Sequence, residues 1–330
     1  MPDFSGYIAN RMNTLAKFSG FLFVMFLALT AFGQQEAQFT QNMFTRMAVN
    51  PAYAGSSEAI SVTGVLREQW VGFKDNNGEK VAPQTFFITI DAPVDVLGGG
   101  LGASIMNDRL GFEQNIGLRL SYAYRTNFGK GELAFGPQIG FLNKTIDFSK
   151  FSAVQSGGDP ALSSGEEKTM LLDLGLGVFY QVKNEYWFGL SSSQLIQTGS
   201  AMGVDEKNFN LRRHYYLQGG YEYIFPDYPL YKLEPSLLIK SDGSSTQFDL
   251  SALVKYDNKF WGGLSYRFQD ALAFMVGVQW RNFQIGYAYD LTTSRMSTGG
   301  SKGSHEVMLN YNFKIEMDKT PKSYRNTRFL

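Results

Sequence analysis

A period-two alternation of apolar and polar residues, repeated in segments of about ten residues from residue 59 to residue 313, constrains this chain more than any other feature. In 170–182, Leu172, Leu174, Leu176, Val178, Tyr180 and Val182 oppose Asp173, Gly175, Gly177, Phe179 and Gln181. In 247–256, Phe248, Leu250, Ala252 and Val254 oppose Asp249, Ser251 and Lys255. In 115–125, Ile116, Leu118, Leu120, Tyr122 and Tyr124 oppose Gly117, Arg119, Ser121 and Ala123. In 271–280, Leu272, Phe274, Val276 and Val278 oppose small or polar residues, and 283–290 and 305–313 behave likewise. Further strands fit 99–107, 132–141, 187–193, 214–225, 232–240 and 260–267. Successive side chains of a strand point to opposite faces, so each segment has one apolar and one polar face.

Alternation alone fits a soluble sandwich and a membrane barrel equally. Three features favour the barrel. The polar face carries Arg119, Asp173, Glu222, Asp249, Lys255 and Arg267, which a dry sandwich core would not accept unpaired but a lumen would. Aromatic residues gather towards strand ends, at Tyr122, Tyr124, Tyr180, Trp187, Tyr221, Tyr223, Trp261 and Trp280, as interfacial girdles do. Connections also alternate in length: 127–131, 183–185, 257–259 and 281–282 are short, whereas 142–169, 194–213 and 291–304 are long, with 269–270 a short exception. The expected fold class is therefore all-β, a transmembrane antiparallel outer-membrane β-barrel of about 14 strands. An even strand number puts both barrel ends on the periplasmic side.

Composition agrees. Aromatics at 15 %, 35 glycines and 18 % charged residues suit strands and turns, and a single barrel can absorb 330 residues. A formal net charge of zero gives no electrostatic case for nucleic acid, and the lack of cysteine excludes disulfides and thiolate metal sites. Phe18 to Phe32 forms an apolar run of about 15 residues, short for a membrane-spanning helix. Arg11 and Lys17 precede it and Ala31-Phe32-Gly33 offers small residues near a cleavage point, so it is expected to be an export signal. The expected division is 1–33 signal peptide, 34–57 periplasmic N-terminal segment packed at or in the barrel, 58–315 barrel, and 316–330 periplasmic C-terminal tail.

The first hairpin carries the most distinctive sequence. Asn50-Pro51-Ala52-Tyr53-Ala54-Gly55 is turn-rich, because Pro51 drives Asn50 from the helical region and Gly55 permits a tight bend. Residues 59–70 put Ile60, Val62, Gly64 and Leu66 opposite Ser61, Thr63, Arg67 and Gln69, and 84–92 repeat the pattern. Arg67-Glu68-Gln69-Trp70-Val71-Gly72 ends the first strand, Pro83-Gln84-Thr85 opens the second and Asp91-Ala92-Pro93 closes it. This order of blocks resembles the N-terminal signature of the PorP/SprF family, outer-membrane proteins of the type IX secretion and gliding-motility machinery. The likeness extends, as pattern, to Phe313.

The motif residues Asn50, Pro51, Gly55, Arg67, Gln69, Trp70, Gly72, Pro83 and Thr85 form the candidate cargo- or partner-binding set. Asn50, Pro51 and Gly55 either bind a periplasmic partner or tuck the N-terminal segment against the barrel rim. Trp70 shares the parity of Leu66, which predicts a girdle position at the outer interface. Arg67 and Gln69 fall on the lumen face near the outer mouth, with Thr85 on the paired strand. An internal salt bridge and a site for cargo or a plug are the two readings of that group. Arg67 is expected to pair with Glu68 if the strand is bulged, or with Asp75, Glu79 or Asp108.

Apparent catalytic motifs are decoys. Gly98-Gly99-Gly100-Leu101-Gly102-Ala103 fits a dinucleotide pattern but leads into a strand, and Gly299-Gly300-Ser301-Lys302-Gly303 lacks the strand–turn–helix setting of a nucleophile elbow. Asp75-Asn76-Asn77-Gly78 and Ser156-Gly157-Gly158-Asp159 lack a full calcium ligand set, and His214 and His305 are too few for a histidine metal site. No catalytic residue, metal or cofactor is expected. The resemblance implies a non-enzymatic outer-membrane component that supports export or surface attachment of adhesin-like proteins with C-terminal sorting domains. Its implied partners are outer-membrane lipid, type IX components in the periplasm and that cargo. A channel for a small solute is the alternative, and a barrel hydrolase is the third reading. The lumen discriminates, since a transporter needs an open path and an anchoring barrel can be plugged by 34–57 or by loops.

Overall fold

Alternation becomes a wall with two different faces. The computed structural model describes residues 36–75, 78–151, 165–202, 207–294 and 300–313. The expected export signal, the tail over 316–330 and the 156–159 turn lie outside them. The strands are β1 Ile60–Glu68, β2 Gln84–Val94, β3 Gly99–Leu110, β4 Glu113–Phe128, β5 Gly131–Asp147, β6 Glu166–Val182 and β7 Tyr186–Ser193. There follow β8 Gly199–Met202, β9 Lys207–Asn210, β10 His214–Tyr221, β11 Tyr223–Ile224 and β12 Tyr231–Ser241. The last five are β13 Thr246–Tyr256, β14 Phe260–Arg267, β15 Ala271–Trp280, β16 Phe283–Thr292 and β17 Ser304–Phe313.

Each strand of the wall pairs antiparallel with its neighbours, and β1 closes on β17 from Ile60↔Phe313 to Glu68↔His305. Strand β10 joins β7 to β12, β11 continues it along β12, and β8 with β9 forms a separate hairpin in the 194–213 connection. The result is a closed 14-strand antiparallel barrel with no free edge. One end, the turn end, has only short connections: 95–98, 129–130, 183–185, 225–230, 257–259 and 281–282. The opposite loop end carries the long connections 69–83, 148–165, 194–213 and 293–303, but also the short 111–112, 242–245 and 268–270. The 142–169 loop expected from sequence is shorter than read, because β5 runs to Asp147 and β6 starts at Glu166.

The outward parity exposes Leu66, Phe86, Ile105, Leu120, Leu176, Leu250, Leu264 and Phe274, a continuous apolar band. Water would penalise such a surface by about 25 cal/mol per Å², so hydrocarbon is its natural solvent. Aromatic rings ring the turn end, with Tyr231–Tyr256 centroids 5.0 Å apart and Phe283–Tyr311 centroids 4.4 Å apart. Two residues assigned to the girdle lie inside instead. Trp261 is buried against Phe44, and Trp187 stacks on Phe179. The inward parity is also less polar than the sequence suggested: Leu253 and Met275 interrupt runs read as small or polar, and both are buried. Their reason is residues 36–57, which occupy the lumen and bury Phe39, Met43 and Met47.

Candidate functional site

Residues 36–57 cross the lumen without long regular structure, using two short 3-10 turns, Arg46–Ala48 and Pro51–Tyr53. A buried backbone outside helix or sheet must find other hydrogen-bond partners. The barrel wall supplies them at three levels.

At the loop end, the Glu36 carboxylate accepts from Arg119 Nη2 at 2.6 Å, Tyr216 Oη at 2.6 Å and Gln194 Nε2 at 3.1 Å. Arg119 in turn donates Nε to Asp173 at 3.0 Å. Burial alone would raise the Glu36 carboxyl, but the Arg119 charge, helped by His214 and the Tyr216 hydroxyl, outweighs it and holds the group at about 2 instead of 4.5. Glu36 belongs to the luminal segment, not to a membrane-spanning strand.

Further along the segment, the backbone N–H groups of Thr40 and Gln41 each donate to the Glu306 carboxylate at 2.8 Å, and Thr40 Oγ1 donates to Asp290 at 2.8 Å. Arg67 locks this level. It donates Nη2 to Asp290 at 2.7 Å, and Nη1 to Glu306 at 3.1 Å and to Thr40 Oγ1 at 2.8 Å. Side chains of Arg67, Asp290 and Glu306 are at most 1 % exposed. Arg267 extends the network to Asp249 and Asp270 at 3.3 Å and to Asp290 at 3.4 Å. Burying such charges is tolerable only because each is paired and hydrogen-bonded.

Near the turn end, the Asn50 side chain accepts from Ala52 N–H, capping the Pro51–Tyr53 turn, and donates to the wall carbonyls of Val178 at 3.0 Å and Leu190 at 3.4 Å. Gly55 N–H donates to Asp91 at 2.8 Å. Arg125 donates to the carbonyls of Ala52, Tyr53 and Ala54 and to Ser56 Oγ, gathering the acceptors of the turn. The wall thins to admit this turn: a Cβ on Gly136 would lie 2.3 Å from Ala52 N, and one on Gly177 would lie 2.1 Å from Asn50 Oδ1.

The motif residues thus fall into three places. Asn50, Pro51 and Gly55 build the luminal turn, and Arg67, near the loop-side end of β1, grips the segment at Thr40. Gln69, Trp70, Pro83 and Thr85 line a cavity of about 450 Å³ at the loop end, beside Glu36, Asp108, Arg119 and Lys144. Gly72, at φ 91°, bends the 69–83 loop where Val71 exchanges hydrogen bonds with the backbone of Lys302 and Gly303. Trp70 does not follow strand parity to the lipid face. It adopts φ 50° just past the end of β1, and its N–H donates to Ser304 Oγ at 3.1 Å.

The partners of Arg67 are Asp290 and Glu306, not Glu68, Asp75, Glu79 or Asp108. Asp75 instead caps its own turn, accepting from Glu79 N–H at 2.7 Å, and Asp108 accepts from Thr85 at 2.6 Å. His214 is buried against Gln194 and is not a solvated side chain. Among the described residues no three His, Cys, Asp or Glu side chains are grouped to hold a metal ion. Sequence reasoning missed Glu36, Thr40, Arg125 and the wall glycines. The one local signal was apolar bulk on the lumen parity, as at Phe179 and Leu253.

Among solved structures, the chain is similar to the Ralstonia pickettii toluene transporter TbuX, at 12% identity over 81% of this chain and 93% of that one, with a TM-score of 0.48. It is also similar to the Acinetobacter baumannii outer membrane protein Omp33, at 7% identity over 78% of this chain and 98% of that one, with a TM-score of 0.44. These are likenesses of barrel fold. A search of curated proteins finds no significant match. The model of a family described as type IX secretion system membrane protein PorP/SprF matches residues 31–311, taking in the luminal segment and nearly the whole wall. Family and apolar band together locate the barrel in the outer membrane, and the family points to a non-enzymatic role with partners in the secretion machinery. With its family signature divided between the luminal segment, its Arg67 lock and the loop-end cavity, the chain belongs to the PorP/SprF family of type IX secretion system membrane proteins.

Proposed function

We propose that this protein is a sealed barrel that supports export or surface attachment of secreted proteins, adhesin-like cargo with C-terminal sorting domains among them. One observation carries the reading: the lumen is filled by residues 36–57, whose Phe39 and Met43 pack with Val65, Phe87, Leu253, Met275 and Met308 of the wall. A diffusion channel for a small solute needs a continuous wet path, and this packing argues against one. Gln69, Trp70, Pro83 and Thr85 are the candidate cargo contacts, since they line the cavity at the loop end, the outer one for an even-stranded barrel. Asn50, Pro51, Gly55 and Arg67 act by holding the plug, and Gly72 by shaping the outer loop.

The test is a deletion strain, assayed for surface display of every type IX cargo and for uptake of a small hydrophilic solute. Loss of display of one or a few cargo proteins, with uptake unchanged, is the expected result. Full display of all cargo with slowed solute uptake would overturn the reading in favour of the channel.

A further inference from the structure

Arg46 stands apart from the other luminal arginines. Arg67, Arg119, Arg125 and Arg267 each meet a carboxylate. The Arg46 side chain makes no hydrogen bond or ion pair with any described residue, and its Nε is buried without an acceptor. Its guanidinium instead lies 4.1 Å from the centroid of the Trp187 ring and 5.4 Å from that of Tyr53. An aromatic face attracts the cation but supplies no acceptor for N–H groups that point outward in the guanidinium plane. Those donors border two cavities near the turn end, of about 290 and 210 Å³, both lined by Arg46, Tyr53, Met43, Glu234 and Lys255. The larger opens past the exposed 183–185 turn and reaches inward to Trp187 and Leu253.

The surrounding charges select the ligand. Lys255 is engaged by Glu234 at 2.7 Å, and Lys183 by Glu58, so neither offers a free cation. Of the acids that line the larger cavity, Glu234 is matched by Lys255 and Glu222 by Lys232 at 2.8 Å, which leaves Glu185 to oppose excess negative charge. One unpaired guanidinium in that setting matches a monoanion. A carboxylate meets it in fork geometry, whereas a dianionic phosphate brings a second negative charge towards Glu185. Trp187, Tyr53 and Met43 offer an apolar surface for whatever carries the carboxylate.

We propose that Arg46, laid against Trp187 and Tyr53, is a binding site for a carboxylate on an apolar or aromatic stem, such as the C-terminal residue of a peptide arriving from the turn end. The proposal is independent of the cargo reading.

Isothermal titration of the full-length protein in detergent with N-acetylphenylalanine tests it. Saturable binding with a dissociation constant of about 1 mM or tighter is expected. Removing charge-assisted hydrogen bonds should weaken it roughly tenfold to a hundredfold in Arg46→Ala, with a smaller loss in Arg46→Lys. N-acetylphenylalanine amide and phenyl phosphate, tested on the unaltered protein, should bind more weakly than the carboxylate. The proposal is overturned if the carboxylate fails to saturate, if its neutral amide binds as well, if phenyl phosphate binds more tightly, or if Arg46→Ala binds undiminished. The amide and phosphate arms need no variant, so misfolding of Arg46→Ala cannot decide the outcome.

Discussion

Arg67→Ala tests whether the charge network holds the luminal segment in place. The substitution removes three hydrogen bonds, to Asp290 at 2.7 Å, to Glu306 at 3.1 Å and to Thr40 Oγ1 at 2.8 Å. Asp290 keeps Arg267 at 3.4 Å, but among the described residues Glu306 loses its only salt-bridge partner while remaining fully buried. Removing one member of a buried ion pair costs about 3–5 kcal/mol, mostly from the charge left behind. That cost falls on the seated state, because water entering an unplugged lumen would solvate both carboxylates. Each 1.4 kcal/mol is about tenfold, so the population of unseated barrels should rise by roughly two to four orders of magnitude. The wall should persist, since lumen substitutions spare the lipid-facing band. The assay is ion conductance across planar bilayers, with thermal unfolding as the control for the wall. Unaltered protein should be nearly silent, Arg67→Ala should show frequent openings, and Arg67→Lys should lie between because a point charge cannot span both carboxylates. Silence in Arg67→Ala, with unchanged unfolding, would refute the idea that this network seats the segment.

Two further outcomes are expected. Gly136→Val, whose side chain would meet the Ala52 backbone, should open the barrel as Arg67→Ala does, whereas Gly64→Ala, with nothing within 4 Å of its added Cβ, should stay silent in the same bilayer assay. The Glu36 carboxyl is depressed in the folded state, so its contribution is complete above about 4.5 and disappears as pH falls towards about 2. Hydrogen exchange over 36–41 should therefore be level from pH 8 to 5, after correction for intrinsic rates, and rise below that, with the step absent in Glu36→Gln.

How much was legible follows from the range of the interactions. The wall was readable because parity is local: Leu172, Asp173 and Leu174 declare their faces without reference to any other strand. The Asn50-to-Gly55 turn was readable as a turn for the same reason. The partners of Arg67 were not, because Asp290 and Glu306 lie 223 and 239 residues away and become neighbours only when the first and last strands meet. Trp70 was misplaced because parity was carried two residues past Glu68, where β1 ends. Trp187 and Trp261 were misplaced because aromatics near strand ends suggested a girdle. Strand parity alone would have put Trp261, next to exposed Phe260, inside.

The same long-range contacts couple the plug to closure of the barrel. Arg67 on β1 and Glu306 on β17 are register partners across the closing seam. Glu306 also receives the Thr40 and Gln41 N–H groups, and Arg67 receives none of its acceptors from its own hairpin. A closed wall without the segment would exchange the three donors that Thr40 and Gln41 give Glu306 for water and expose Phe87, Phe179, Leu253 and Met308 to a wet lumen. A seated segment without the seam would leave Thr40 and Gln41 N–H groups with no acceptor. Each half satisfies polar groups the other buries, so seating and closure reinforce each other. This explains why one sequence signature spans both: Asn50, Pro51 and Gly55 shape the segment, and Arg67, on the first strand of the wall, fastens it to the last.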